Sequence, residues 1–231
     1  MTEQARIFVV DDHPVFRLGL RRILESESDL SVCGEVDRLE GATQAISEMK
    51  PTLVLIDITL RDGHGLELVR QLKAEQPNLP TLVVSMHDEK LYAERAVRAG
   101  AQGYLSKHAS AEKIIDSVRQ AIAGELVLSP DIARNLLRRT LHRRPTEDSP
   151  LAGLSDRELE IFEMIGRGDS ARTIAEKLNI SVKTVETHRT NIRQKINLSS
   201  TNELVRFATT WVADGEYQPA PPTPTNPPPA E

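Results

Sequence analysis

Only one cysteine, Cys33, occurs among the 231 residues, so no internal disulfide and no cysteine-built zinc cage can hold this chain together. Aromatic residues make up 3% of the sequence, so the core must come mainly from Leu, Ile, Val and Ala. No apolar run approaches the roughly 18 residues of a membrane span. The first ten residues lack a basic segment followed by a long apolar one, so no secretory leader is expected and the cytoplasm is the expected compartment. Positive charge is not in excess either: 29 Lys and Arg stand against 34 Asp and Glu, a net charge of -5. That balance argues against uniform affinity for nucleic acid, although charge can still gather locally. What is present, 39% hydrophobic and 27% charged residues, suits a globular protein of one large or two modest domains.

One stretch organises the first half. Leu53-Val54-Leu55-Ile56-Asp57 is a short aliphatic run that ends on a carboxylate. With Pro51 before it and Gly63 and Gly65 after it, the run reads as a fully buried strand rather than a helix. An ionised carboxylate inside such a strand is very costly to bury. Asp57 is therefore expected at the strand's carboxyl end, on the rim where open α/β sheets bind ligands. A second apolar run, 6–10, ends on Asp11-Asp12. Further strands are read at 30–36, at 81–84 ending on Ser85, and at 103–105 ending on Ser106-Lys107. The first helical pattern has Pro14 near its start and carries Val15, Leu18, Ile23 and Leu24. Others follow at 39–49, through Leu66, Val69 and Leu72, at 91–98 with Gly100 as the stop, and at 111–123. Strand and helix alternate five times over about 120 residues, which argues for a parallel sheet with helices on both faces.

In a parallel sheet these strand ends share one rim, so Asp11, Asp12, Asp57, Ser85 and Lys107 can meet there. Three carboxylates in close quarters raise one another's pKa unless a cation is supplied. Oxygen ligands of this kind suit Mg2+, which keeps some waters and pairs with a phosphoryl group. A carboxylate can also act as a nucleophile and form an aspartyl-phosphate. Lysine is then a point charge for the phosphoryl oxygens, and Ser85 a hydrogen-bond donor to them. Singly, each residue is bland: Asp11-Asp12 would cap the helix near Pro14, a strand-end Asp is commonly solvated, and Ser85 or Lys107 alone carries little. Their coincidence, each at the end of its own strand, is what favours a site. His13, His64, His87 and His108 lie in loops near the rim without metal-ligand spacing and are read as solvated.

Asp11-Asp12, Asp57, Ser85 and Lys107, with Gly103-Tyr104-Leu105-Ser106-Lys107 intact, resemble the receiver domain of bacterial two-component response regulators. The resemblance covers residues 4–124 and implies a flavodoxin-like, doubly wound five-stranded parallel sheet. It implies that Asp57 accepts a phosphoryl group from a partner sensor histidine kinase. It also implies Mg2+, bound by Asp12 directly, by Asp11 through water, by Asp57 and by the Thr59 carbonyl. Ser85 and Tyr104 would be a switch pair that moves inward when the phosphoryl is present, although a tyrosine at a strand edge is usually packing. One departure is Arg61-Asp62, where many receivers have a proline and a small residue, and it leaves that loop's conformation open.

Residues 125–150 read as a linker. Ser129-Pro130 looks like an N-cap followed by proline at the first helical position, opening a helix over 131–141. It carries Ile132, Leu136 and Leu137 on one side and Arg134, Arg138 and Arg139 on others, before Pro145 and Pro150 break the chain. From Leu154 the sequence is helical. Ser155 and Glu158 fit a capping box, opening a helix apolar at Leu159, Ile161, Phe162 and Ile165 and ended by Gly166 and Gly168. A short helix over 171–178 and a tight turn, Asn179-Ile180-Ser181, lead into a third helix reaching Ile196. Ser200 and Glu203 suggest another box, opening a helix over 204–212. Two helices joined by so short a turn are the frame of a helix-turn-helix.

At about 100° per residue, Val185, Ile192 and Ile196 on the third helix fall together toward the core, with His188 beside them. Lys183, Thr187, Thr190, Asn191 and Gln194 fall on the opposite face, flanked by Glu186, Arg189 and Arg193. That face is rich in hydrogen-bonding groups and free of apolar ones, as a helix entering a major groove requires. Between Arg172 and Lys195 six Lys or Arg stand against two Glu, which favours contact with phosphates.

Residues 154–208, and especially Val182-Lys183-Thr184-Val185-Glu186-Thr187-His188, resemble the LuxR-type helix-turn-helix. Joined to a receiver, this is the arrangement of the NarL/FixJ family of transcription factors. The family's pattern puts Glu186, Thr187 and Thr190 where bases are read, while Lys183, Arg189 and Arg193 are better placed for phosphates. Thr201 stands where the family often has arginine, which weakens one expected backbone contact. Leu204, Phe207, Ala208 and Trp211 make an apolar face on the last helix that is either core or a dimer seam. The domains expected are 1–124, the receiver; 125–150, the linker; 151–214, a small all-α four-helix domain binding double-stranded DNA; and 215–231, a disordered tail holding seven of the 14 prolines.

The resulting expectation is a non-enzymatic regulator, homodimeric when phosphorylated on Asp57, whose DNA binding the phosphoryl group switches. Two rivals stay open. One is a regulator whose receiver only dimerises, without phosphorylation. The other is an aspartyl-phosphate hydrolase, although such enzymes commonly carry a second acid two residues after the nucleophile, where this chain has Thr59.

Overall fold

The computed structural model describes residues 4–142 and 150–214. The expected Pro-rich tail at 215–231 lies outside them. The chain forms two compact units.

The first unit is built on β1 (Ala5–Val10), β2 (Leu30–Val36), β3 (Leu53–Ile56), β6 (Thr81–Ser85) and β7 (Gly103–Ser106). These five strands are parallel, in the order β2-β1-β3-β6-β7. Between them run α1 (Pro14–Glu25), α2 (Ala42–Met49), α3 (Gly65–Glu75) and α4 (Glu89–Ala99), and α5 (Ala111–Ile122) follows β7. The continuous apolar runs are explained by burial on both faces. Ile7, Val9, Leu53, Leu55, Leu82 and Val84 pack with Leu20, Leu24, Ile114 and Val118 on one side. The alternate residues Phe8, Val10, Val54, Ile56 and Val83 are buried on the other. Each such aliphatic side chain contributes roughly 1.5–3 kcal/mol when fully buried. Val15 and Leu18, both part of the first helical pattern, face outward instead, at 86% and 57% exposure.

The strand order reverses direction at β1 and β3, so the crevice beyond their carboxyl ends is the sheet's topological switch point. Asp11 and Asp12 follow β1 there and Asp57 follows β3.

A short antiparallel hairpin, β4 (Thr59–Leu60) and β5 (Gly63–His64), follows Asp57 and has no counterpart in the sequence reading. Arg61-Asp62 forms its turn. The Asp62 carboxylate accepts the Leu39 and Glu40 N–H groups at 2.7 and 2.9 Å, and Arg61 pairs with Asp37 at 3.2 Å. These contacts define the loop that the unusual dipeptide had left open. The return to α3 needs glycine: a Cβ on Gly65 would lie 1.8 Å from the Asp57 carbonyl oxygen.

After α5 the chain returns to the sheet edge. Tyr104 N–H donates to the Val127 carbonyl at 2.8 Å, and Val127 is buried. Then α6 (Pro130–His142) begins, with Ser129 Oγ accepting Ile132 N–H at 3.5 Å as its cap.

The second unit contains α7 (Asp156–Gly166), α8 (Ala171–Lys177), α9 (Val182–Lys195) and α10 (Thr201–Asp214). The capping box at α7 is complete: Ser155 N–H donates to Glu158 Oε2 at 2.7 Å and Glu158 N–H to Ser155 Oγ at 3.3 Å. The box expected at α10 is only half formed. Glu203 N–H reaches Ser200 Oγ at 3.2 Å, but the Glu203 carboxylate turns to Ser199, accepting its N–H and hydroxyl at 2.8 and 2.7 Å. Half of the apolar face of α10 enters the core, while Phe207 and Trp211 stay partly exposed. Leu204 and Ala208 are fully buried, and the Phe207 ring makes tilted contacts with Phe162 and Trp211 at centroid distances of 5.7 and 5.9 Å.

Candidate functional site

The rim of the sheet gathers an acidic pocket. Asp11 and Asp57 each expose 3% of their side chains and Lys107 none. Buried charges persist only when paired, and here Lys107 Nζ, delivered from the end of β7, lies 2.6 Å from Asp57 Oδ2 and 2.7 Å from Asp11 Oδ2. The same ammonium stands 4.7 Å from the centroid of the Phe16 ring. Asp57 Oδ1 accepts the Ile58 N–H at 2.7 Å.

Burial pushes the Asp57 carboxyl up, but His13 and Lys107 outweigh it and hold Asp57 below the ordinary carboxylate value. Asp11 is pushed up by burial and then by the Asp57 charge, against the pull of Lys107. Asp12 is raised as well, chiefly by burial. Of the three acids, Asp57 is thus the one held most firmly as the anion, the form a nucleophile needs.

His13 is not the bystander the sequence reading made it. Its ring is half-exposed, yet Nδ1 turns inward to within 2.7 Å of Asp12 Oδ1, 3.4 Å of Asp11 Oδ1 and 3.5 Å of Asp57 Oδ2. Its contact with Asp57 raises its pKa. One donor atom from each of Asp11, Asp12, His13 and Asp57 falls within 4.8 Å of the others. Asp12 Oδ1 is buried and meets the His13 ring nitrogen as an ion pair. Three carboxylates converging within 4.8 Å fit a small divalent cation.

The remaining rim residues form a second layer. Ser85, 1% exposed, accepts the His87 N–H on its hydroxyl at 3.4 Å. Its carbonyl accepts the Lys107 N–H at 2.8 Å. Tyr104 is buried, its hydroxyl donating to the His87 carbonyl at 2.5 Å. His87 Nε2 lies 2.9 Å from Thr59 Oγ1, and its ring packs 4.8 Å from that of Tyr92. His64 is 2% exposed and caps α3, with Nδ1 accepting Leu66 N–H at 3.4 Å. Of the histidines read as solvated, only His108 is simply exposed. A clue lay in the sequence: His13 stands between an acidic pair and Pro14, and His64 just before a helix start.

On α9, Val185 and Ile192 are fully buried, as the angular reading requires, and Ile196 just beyond it is partly buried. Lys183, Glu186, Thr187, Thr190 and Gln194 are exposed, while Asn191, Arg189 and Arg193 are partly buried. The Thr187 and Thr190 hydroxyls donate to the Lys183 and Glu186 carbonyls, each at 3.0 Å, which orients them along the helix. Arg189 pairs with Glu186 at 2.9 Å, and Arg193 donates to the Ser199 carbonyl at 3.4 Å.

An acidic switch-point pocket in one unit and a polar-faced helix in the other match known proteins along nearly the whole chain. Residues 7–119 match the response regulator receiver domain, and residues 152–208 match the luxR family of bacterial regulatory proteins. The response regulator GacA of Pseudomonas aeruginosa is 36% identical over 203 residues, covering 88% of this chain and 94% of that protein. The chain is a response regulator of the NarL/FixJ family.

The response regulator UvrY of Escherichia coli is 33% identical over 202 residues, covering 87% of this chain and 92% of that one. Among solved structures, a LuxR-family two-component response regulator from Aurantimonas sp. aligns with a TM-score of 0.55 at 31% identity, covering 60% of this chain and 99% of that chain. In this response regulator the sheet is the receiver, and the unit carrying α9 is the LuxR-type DNA-binding domain. No described helix is long and apolar enough to cross a membrane.

Proposed function

We propose that Asp57 accepts a phosphoryl group from a sensor histidine kinase and that this modification switches DNA binding through α9. The observation carrying this reading is Asp57 itself: a buried carboxylate held as the anion, 2.6 Å from the fully buried Lys107 ammonium. In the transfer an Asp57 carboxylate oxygen attacks phosphorus and the bond from phosphorus to the kinase imidazole breaks. The imidazole leaves with the electron pair, and an acyl phosphate remains. Charge stabilisation of the moving phosphoryl group dominates such chemistry. Lys107 exchanges its ion pair for a phosphoryl oxygen, and the Ser85 hydroxyl leaves His87 N–H to donate to another. Asp11, Asp12, Asp57 and the Thr59 carbonyl would hold Mg2+, which when bound neutralises the phosphoryl charge.

Ser85 and Tyr104 both bond the His87 backbone, so drawing Ser85 toward a phosphoryl group releases one of two ties and shifts Tyr104 between packings. The favoured state is a homodimer that places α9 in the major groove of double-stranded DNA. Glu186, Thr187 and Thr190 read base edges, Asn191 and Gln194 extend that face, and Lys183, Arg189 and Arg193 meet phosphates.

The test is binding to genomic DNA fragments with and without acetyl phosphate and Mg2+, for the natural chain and Asp57→Asn. Tighter binding and dimerisation only for the natural chain with phosphodonor are expected. Regulated binding that persists unchanged in Asp57→Asn would replace this reading with a phosphorylation-independent one.

A further inference from the structure

We infer that Thr187 and Thr190 recognise thymine by its C5-methyl group, through apolar contact and without donating a hydrogen bond to any base. The inference rests on the reading of α9 as the helix that enters the major groove, and it names the base chemistry that this reading leaves open.

Two observations carry it. The first is where the hydroxyl protons go. A threonine hydroxyl carries one proton. Thr187 Oγ1 donates it to the Lys183 carbonyl and Thr190 Oγ1 to the Glu186 carbonyl, each at 3.0 Å and one turn back along α9. Neither hydroxyl then has a donor for thymine O4, guanine O6 or a purine N7. With the oxygen turned onto the preceding turn, the Cγ2 methyl is what each exposed side chain offers a partner. A base that took the proton would only replace one hydrogen bond by another, an exchange worth little. The second observation is what surrounds the two threonines. At about 100° per residue, Lys183, Glu186, Thr187, Thr190 and Gln194 line one stripe, all of them exposed. The donors of that stripe, Lys183 and Gln194, stand at its two ends. Its middle turn holds two methyl groups and the Glu186 carboxylate, which only accepts and already takes an Arg189 N–H at 2.9 Å.

The chemical consequence follows from the base edges. Guanine shows the major groove two acceptors, O6 and N7, and a middle turn without donors cannot read them. Thymine is the base that carries a methyl group there, and a threonine methyl is an apolar partner for it. Thr187 and Thr190 are about 4.5 Å apart along the helix axis, more than one base step of about 3.4 Å. The two methyls therefore fall on different bases. The preferred site carries thymines opposite the middle of α9, and what marks them is the methyl group that uracil lacks.

The experiment uses the full-length chain with acetyl phosphate and Mg2+ and a duplex selected from a randomised library. Each thymine of that duplex is replaced in turn by deoxyuridine, which keeps every hydrogen-bonding group and removes only the methyl. Affinity is read by fluorescence anisotropy. This arm alters the DNA alone, so it does not depend on a variant folding. Thr187→Ser and Thr190→Ser, which keep the hydroxyl, are compared with Thr187→Val and Thr190→Val, which keep the methyl; both positions are exposed. Loss of a contacted methyl should weaken binding about fourfold, the effect of burying one such group. A uracil-sensitive thymine is expected for each threonine, with the sensitivity abolished in its serine variant and retained in its valine variant. No uracil-sensitive thymine, or sensitivity that survives in both serine variants, overturns the inference and leaves α9 reading bases by hydrogen bonds. Equal binding to every library sequence overturns the base-reading role of α9 itself and this inference with it.

Discussion

The phenolic hydroxyl of Tyr104 donates a 2.5 Å hydrogen bond to the carbonyl oxygen of His87, whose own N–H reaches the Ser85 hydroxyl at 3.4 Å. Two residues from neighbouring strands, β6 and β7, thus hold the backbone of one residue, His87, from either side of its Cα. Tyr104→Phe keeps the buried ring and removes only this link. Stability should fall by about 0.5–1.5 kcal/mol. Phosphorylation of Asp57, read on a phosphate-affinity gel, should be retained while the phosphodonor's effect on DNA affinity shrinks. A full effect in the variant would remove Tyr104 from the switch.

The Lys107 ammonium is fully buried between Asp11 and Asp57. Lys107→Met leaves two buried carboxylates with no ammonium. Urea unfolding in the absence of divalent ions should show a loss of about 3–5 kcal/mol, the usual result of breaking a buried pair. Added Mg2+ should recover part of it, because a ligand that binds only the folded state stabilises that state. A loss below about 1 kcal/mol would mean that water already reaches this pocket.

The DNA-binding domain carries its own pH dependence. Burial pushes Glu158 up, but Lys195 Nζ at 2.6 Å and the Ser155 N–H outweigh it, so its carboxyl titrates below the ordinary 4.5. A group depressed on folding contributes stability that is present above its unfolded pKa and lost as pH falls through its folded one. The stability difference between the natural chain and Glu158→Gln should therefore be full at pH 7 and close below about pH 4.5. His188 works in the same direction at higher pH. Burial holds its imidazole below 6.5, so the unfolded chain takes a proton that the folded one refuses, and stability declines as pH drops through 6.5. Denaturation midpoints from pH 8 to pH 3 resolve the two steps, and His188→Gln should abolish the upper one.

Two residues of α9 separate base reading from phosphate contact. Thr187→Ala should alter sequence preference at one position, at a cost of about 1–3 kcal/mol for the preferred base. Lys183→Ala should weaken binding to all sequences alike and reduce the salt slope by about 1. Competition binding against a randomised site library at two salt concentrations distinguishes these outcomes. A change of preference in the lysine variant alone would reverse the assignment.

Much of this protein's architecture is written in its sequence, because the signals involved are local. A continuous aliphatic run such as 53–56 is a buried parallel strand whatever surrounds it, and the carboxylate at its end has to stand on the rim. The Ser155–Glu158 box marks the start of α7 within four residues of chain, and the buried positions of α9 follow from its period alone. Alternation of strand and helix was enough to place Asp11, Asp57, Ser85 and Lys107 on one rim. Tertiary structure decided how they meet there. Lys107 reaches Asp57 across 50 residues because β6 lies between β3 and β7, an order that periodicity does not encode. His13, His64 and His87 looked alike in sequence, yet one faces three carboxylates, one caps a helix and one bonds Thr59. The hairpin at 59–64 owes its shape to Asp62 gripping amides at positions 39 and 40. Local pattern sets which backbone forms and which face is apolar. Where a polar side chain ends up depends on which distant charge or amide folding brings within hydrogen-bond reach, and only the packed chain determines that.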